Sequence, residues 1–401
     1  MREPFRSAIP IIEKIQQHGF EAYFVGGAVR DYLLDRPISD VDIATSALPH
    51  ELKGIFPKTV DVGIEHGTIL ILHNGKGYEV TTFRTESDYK DFRRPERVTF
   101  VRSLEEDLKR RDFTINAMAM DINGKIIDLF DGQEAMKRKI LQTVGSPDER
   151  FTEDALRMMR AVRFVSQLGF QLEESTKRAL EKHNHLLAHI AVERKLVEFE
   201  KLLSGPYRHK AFQLLLLTQL YNYLPMLKGK GEKLHQAISW MNDSLTVNEM
   251  WALLLYALQP INERTFFKEW RLPSKQSKEI STIHNFLKQR LQQEWTTQTL
   301  YQATKPIAYS VEKLYDAING ITSSVWYVWE EKFNQMPIHH RSELTISGND
   351  LMDWFKRPGG PWVKDVLEKV ELAVLHGVVE NDKDQIREWL QSCNHQFENN
   401  C

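Results

Sequence analysis

The chain has almost no cysteine: Cys393 and Cys401 are the two in 401 residues, both at the C-terminal end. A disulfide framework and a four-ligand zinc site are thereby excluded, and a reducing, cytoplasmic setting is expected. Long apolar runs are missing as well. Stretches such as FQLLLLTQL, from residue 212, fall short of the roughly 20 residues that span a bilayer, so no membrane association is expected. The opening MREPFRSAIPIIEKIQQHGF lacks the long apolar core and cleavage site of an export signal and reads as an amphipathic helix ended by Gly19. No charge of one sign dominates, since 53 Lys and Arg face 55 Asp and Glu for a net of −2. That balance argues weakly against a nucleic-acid partner unless Lys and Arg are locally concentrated.

What is present divides along the chain. With 42% hydrophobic residues the chain can bury a large core and form several domains. Strand-like runs occupy 23–25, 42–44, 69–72, 78–83, 117–121 and 126–129, and Asn74 before Gly75 and Asn123 before Gly124 are hairpin signals. From GSPDE onward, where Ser146, Pro147 and Glu149 resemble an N-cap, a first-turn proline and a capping box, the pattern is helical. All nine tryptophans lie from Trp240 on, which sets the C-terminal region apart. YLPMLKGKGEK and the segment after RLPSKQS are expected joints between helical parts. The expected fold class is α+β: an N-terminal mixed-sheet head followed by an all-α remainder.

The stretch YFVGGAVRDYLLDRPISDVDIAT carries the first chemical signal. Asp40 and Asp42, at i and i+2 on a strand, point the same way. Like charges held side by side repel unless a cation lies between them, and two carboxylates suit Mg²⁺, which fills its other positions with water and substrate phosphates. VGGAVRD reads as strand, Gly-Gly turn and helix, so amides near Gly27 could approach an anion, with Arg30 one turn further on. Gly-Gly alone is usually a tight turn, and Asp-X-Asp alone also marks calcium loops and solvated strand ends. A calcium loop from Asp40 fails at Ala44 and Thr45, where a ligand and a glycine belong. The glycines match neither G-x-G-x-x-G nor G-x-x-x-x-G-K-[ST].

A second signal is EDALRMMRAVRF. A helix from about residue 152 to 168, closed by Gly169, makes Asp154 and Arg157 surface neighbours at i and i+3. Arg157, Arg160 and Arg163 then share an arc of roughly 120°, opposite Ala155, Met158, Val162 and Val165. With no acid after Asp154 on that face, it is expected to seek an anion, the alternative being a solvated charge stripe.

GGAVRDYLLDRPISDVDIAT (26–45), RRDFTINAMA (110–119), DLFDG (128–132) and EDALRMMRAVRF (153–164) follow one another in order. Together they resemble the motifs of the class II tRNA nucleotidyltransferases, the CCA-adding enzymes of the polymerase-β-like superfamily. ERKLVEFEKLL (193–203) is similar to the family's neck helix. The resemblance implies a catalytic head at 1–144, nucleotide-recognising neck helices at 145–205, and tRNA-binding helical body and tail at 206–295 and 296–401. It implies template-independent addition of CCA to tRNA from CTP and ATP, with Mg²⁺ on Asp40 and Asp42 and a homodimer as a common assembly. It further implies that Asp154 and Arg157 read the base while Arg111 and the other arginines contact phosphates and ribose.

That base reading has a physical basis. A carboxylate only accepts hydrogen bonds and a guanidinium only donates, so the pair complements the Watson–Crick edges of cytosine and adenine, whereas uracil and guanine present the reverse order. The superfamily asks for a third carboxylate, for which Glu79 is the candidate; an acid paired with a nearby arginine is the other reading. Asp112 and Asn116 are expected to brace the second motif, and His66 and His73 to be ordinary strand-end histidines. TESDYKDFRRPERV (85–98), without strand or helix period, resembles the family's flexible loop for switching from CTP to ATP; a solvated surface loop is the alternative. VDVGIEHGTILIL (60–72) departs from the LIVGRRFRL pattern of bacterial poly(A) polymerases, which with CC-only enzymes are the alternatives inside the family. An RNA-binding protein without activity would not need both aspartates, and a small-molecule nucleotidyltransferase would not need the long helical part.

Overall fold

The computed structural model describes residues 1–90, 94–322 and 326–397. It divides into two compact units, Met1–Ile238 with Asn262–Leu272, and Ser239–Ile261 with Pro273–Cys401. Unit one opens with α1 (Phe5–Gln17), whose Phe5, Ala8, Ile11, Ile12 and Ile15 recur at helical spacing and are all fully buried. β1 (Ala22–Val25), α2 (Gly27–Leu33), β2 (Asp42–Thr45), α3 (Pro49–Ile55), β3 (Thr59–Gly63), β4 (Thr68–His73) and β5 (Lys76–Thr82) follow. β4 and β5 form a two-residue hairpin in which Asn74 and Gly75 both have positive φ, 49° and 75°, the conformation that matches strand twist and favours Asn-Gly.

β6 (Arg84–Lys90) and β7 (Arg94–Phe100) pair antiparallel as a separate two-stranded ribbon. The irregular loop expected at 85–98 is thus corrected: backbone pairing from Arg84 opposite Phe100 to Lys90 opposite Arg94 supplies an order that side-chain pattern does not announce. Residues 91–93 lie outside the described residues. After α4 (Leu104–Lys109) come β8 (Met118–Met120) and β9 (Ile126–Asp128), which complete a seven-stranded sheet in the order β3-β4-β5-β2-β1-β8-β9. β2 and β5 are parallel; the other neighbours are antiparallel.

α5 (Gly132–Lys137), β10 (Ile140–Leu141), α6 (Pro147–Glu153), α7 (Leu156–Leu168), β11 (Gln171–Leu172), α8 (Glu174–His183) and α9 (Val192–Leu203) extend unit one. Ser146 caps α6 by accepting from the Glu149 amide, and Gly169, at φ 71°, closes α7. β11 pairs with β10, so the expected all-helical remainder carries one short strand before becoming helical among the described residues. Phe199 on α9 packs against the fully buried Trp270 at 4.6 Å. Unit two is helical, with a core that gathers Ile338, Leu351, Val370, Val374 and Ile386.

The single helix expected over 152–168 is two helices. Asp154 is extended (φ −134°, ψ 103°), and its Oδ1 accepts the amide of Leu156 at 3.0 Å. A short carboxylate that satisfies a backbone donor two residues on competes with helix continuation. Asp154 therefore sits in the break between α6 and α7, while the arginines ride on α7.

Candidate active site

Register sets the centre. Val25 at the end of β1 faces Asp42 at the start of β2, and Phe24 faces Ile43. Ile43, Ala44 and Thr45 are all buried, while Asp42 at the strand's first position stays in a cleft that water reaches. Gly26 follows at φ 73° and ψ −135°, a conformation open to glycine. A Cβ there would stand 3.0 Å from an Arg111 guanidinium nitrogen and 3.9 Å from Asp42 Oδ2. Bare backbone is what lets arginine and aspartate meet at this turn.

Asp40 precedes β2 instead of lying on it, which corrects the expectation that both aspartates share one strand face. The two are nonetheless coupled. Desolvation in the cleft raises the Asp42 carboxyl above the usual range, Arg111 pulls it down, and the Asp40 charge pushes it up. Desolvation is the largest of these and outweighs Arg111, so the charge on Asp42 is under-compensated in the cleft, and with Asp40 beside it the hard oxygen donors fit a divalent ion. Glu79 stands one residue before the paired Ile43 and Val80 on parallel β5. Among the described residues it has no ion-pair partner, and no group of three or more potential ligands is gathered closely enough to hold a metal. Water and phosphate oxygens would complete the shell.

Gly27, Arg30, Asp42, Arg111, Asp154, Arg157, Arg160 and Arg163 all line one open cavity of about 630 Å³. Asp40 lines a second cavity that shares Gly27 and Asp42 with the first. Arg84, Arg110 and Arg194 join the first wall, giving eight arginines against the carboxylates of Asp42, Glu86, Asp112 and Asp154. That surplus is a field suited to a polyanion.

The expected lack of compensating acids is corrected by distant segments. Arg160 Nε donates to Asp112 Oδ2 at 2.6 Å, and Asp112 Oδ1 accepts from Asn116 Nδ2 at 3.1 Å. Burial opposes the Asp112 charge, but Arg160, Asn116 and Arg157 outweigh it and hold the carboxyl at about 2. Arg157 pairs with Glu153 and also donates to the carbonyls of Arg150 and Arg110, each at 3.2 Å. Arg163 Nε stands 3.1 Å from Glu198 Oε2 but out of hydrogen-bond alignment, and burial with Arg160 nearby lowers its pKa to about 10, so it remains charged at neutral pH. Arg30 grips Asp31 at 3.0 and 2.8 Å and Asn116 Oδ1 at 2.8 Å. The guanidinium groups of Arg163, Arg30 and Arg160 stand 4.1, 5.1 and 5.6 Å from the Phe164 ring, whose π face offsets their crowding. The buried Arg111 Nε has no hydrogen-bond partner among the described residues.

Asp154 is held from α9. Its Oδ2 accepts from Arg194 Nη2 at 2.8 Å and its Oδ1 from Arg194 Nη1 at 3.4 Å. Sequence reasoning missed Arg194 because nothing local distinguishes it in the first turn of α9. Asp112 and Asn116 do brace the second motif, as expected.

Comparison with known proteins agrees with this architecture. The Poly A polymerase head domain family matches residues 22–142, domain 2 of the tRNA nucleotidyltransferases matches 244–390, and "Probable RNA and SrmB- binding site of polymerase A" matches 169–230. The chain is 50% identical to a CCA-adding enzyme of Bacillus cereus (strain Q1), covering 98% of this chain and 99% of that one. It is 51% identical to the CCA-adding enzyme of Geobacillus stearothermophilus across 100% of both. A crystal structure of the Bacillus stearothermophilus CCA-adding enzyme in complex with CTP superposes with TM-score 0.89 at 49% identity, covering 100% of both chains. Identity of this extent, together with the site that the head motifs build, shows that the chain belongs to the CCA-adding enzymes, the tRNA nucleotidyltransferases that share a poly(A) polymerase-type head.

Proposed function

We propose that the protein adds and repairs the 3′-terminal CCA of tRNA from CTP and ATP without a template. The observation that carries this is the arginine-lined cavity bordered by Asp42 and holding Asp154 and Arg157 together, in a chain half identical to CCA-adding enzymes along its length. Arg30, Arg111, Arg160 and Arg163 hold the nucleotide's phosphates and ribose through charge-assisted bonds. Asp154 accepts from the amino group of cytosine or adenine, and Arg157 donates to the adjacent ring nitrogen. Uracil and guanine place acceptor against carboxylate and donor against guanidinium, at about 1–3 kcal/mol for each unsatisfied group. Arg194 and Glu153 fix the two reading groups before substrate arrives, which cuts the ordering cost of binding.

The acceptor's 3′-oxygen forms a bond to the α-phosphorus while the bond to pyrophosphate breaks and the hydroxyl proton passes to solvent. Asp40 and Asp42 would hold Mg²⁺, which when bound supplies polarisation of the 3′-hydroxyl and neutralises charge on the leaving pyrophosphate. Residues 1–144 supply this chemistry, 145–205 the reading of the base, and 206–295 and 296–401 the grip on tRNA, largely through phosphates and shape. The root of the β6–β7 ribbon reaches the cavity through Arg84 and Glu86, which supports a part in the change from CTP to ATP. No helix among the described residues is long and apolar enough to cross a membrane, in keeping with a cytoplasmic enzyme; a homodimer is its proposed assembly.

Incubation with tRNA lacking its last three nucleotides and each labelled nucleotide tests the reading. Two C and one A are expected. Long A tails identify a poly(A) polymerase, C without A identifies a CC-adding enzyme, and no incorporation overturns the proposal.

A further inference from the structure

Beside the arginine-lined cavity lies a second one of about 730 Å³, which meets it at Gly27 and Asp42. Its character is opposite. Asp40, Asp42 and Glu79 line it together with Asp31, whose carboxylate Arg30 already holds, and Lys76 is the one cation among its lining residues. Pro37, Ile38 and Leu70 supply an apolar side, and Tyr78 fixes another by donating its hydroxyl to the Ser7 carbonyl at 3.2 Å. Lys76 is exposed, directly follows the Asn74-Gly75 turn, and among the described residues has neither ion pair nor side-chain hydrogen bond.

Beyond the two aspartates that would hold Mg²⁺, this wall offers one cation where the first offers eight arginines, so it suits a ribose and base carrying one phosphodiester better than a triphosphate. In-line displacement places the attacking oxygen and the leaving pyrophosphate on opposite sides of the α-phosphorus. Two cavities of opposite charge that join at Asp42 provide two such sides. We infer that the second cavity seats the 3′-terminal nucleotide of the RNA acceptor, and that Lys76 is a positioning residue that holds its last phosphodiester. This deepens the CCA-adding reading and rests on it.

The test uses the full-length enzyme and tRNA acceptors with a 2′-deoxy penultimate residue, carrying either a phosphodiester or an uncharged methylphosphonate as the last linkage. Lys76→Ala is expected to raise KM for the phosphodiester acceptor about tenfold, the size of one charge-assisted contact. KM for CTP, kcat and the melting temperature stay as in the wild type. Lys76→Arg restores KM, and on the methylphosphonate acceptor all three proteins behave alike. Equal KM for wild type and Lys76→Ala on the phosphodiester, or an equal loss on both acceptors, overturns the inference while leaving the function standing if the wild type adds CCA. A wild type that incorporates nothing overturns both.

Discussion

Each unit of the molecule buries charge, but in different ways. In unit two, Glu312 is 4% exposed and accepts from Arg290 Nε at 2.6 Å and Trp295 Nε1 at 2.5 Å. It is a closed arrangement that ties helices together. In unit one, Asp112 is similarly buried, at 8% exposure, yet its partners Arg160 and Asn116 belong to a set of linked groups that line a cavity. The first kind of burial holds a fold. The second holds a field in place before a substrate arrives, so that little reorganisation is needed during reaction.

Substitutions can break or sharpen this contrast. Asp42→Ala is expected to lower nucleotide incorporation by a thousandfold or more, roughly 4 kcal/mol, with tRNA affinity nearly unchanged in filter binding. An equal loss of binding would remove its special place. Asp112→Ala, whose partner Arg160 is 32% exposed, should cost less in urea unfolding than Glu312→Ala, which costs about 3–5 kcal/mol because it leaves the buried Arg290 facing the exposed Glu294. Only the first should also disturb CTP affinity.

The acid limb carries a signature of the same pair. Asp112 is depressed from 3.8 to about 2 in the fold, so its stabilisation is fully present above about pH 4 and is lost as pH falls toward 2. Asp112→Asn should flatten that part of the unfolding profile. Asp154→Ala should leave stability closer to normal but lower selectivity for C and A over U and G by about tenfold to a hundredfold; unchanged selectivity in a folded variant refutes the reading role. The smallest effect belongs to Lys383→Ala in unit two. Lys383 and Ser347 draw Asp350 down to about 2, but half of the Lys383 side chain meets water, and a screened pair contributes less than about 1 kcal/mol in thermal unfolding.

The parts legible in the sequence were those whose meaning is local. Asn74 and Gly75 specify their own turn, the apolar period of α1 specifies its buried face, and the spacing of Arg157, Arg160 and Arg163 places them on one wall. The break at Asp154 was hidden because the apolar period runs straight through it and the competing hydrogen bond is a side-chain choice. The β6–β7 ribbon was hidden because its order comes from backbone pairing and not from alternation. Arg194 lies 40 residues from Asp154, and Arg160 lies 48 from Asp112; contacts that long depend on the fold being complete.

The pairing of Val25 with Asp42 has an evolutionary corollary. A strand presents its two faces in strict turn, so inserting one residue between Asp42 and Ile43 would move the carboxylate off its place opposite Val25 and turn it to the other face of the sheet. Drift in amino-acid identity around this strand is therefore tolerable in many places, whereas a change of its length by one is not. Among descendants of this gene, insertions and deletions should accumulate in the connecting loops and stop at the edges of these two strands.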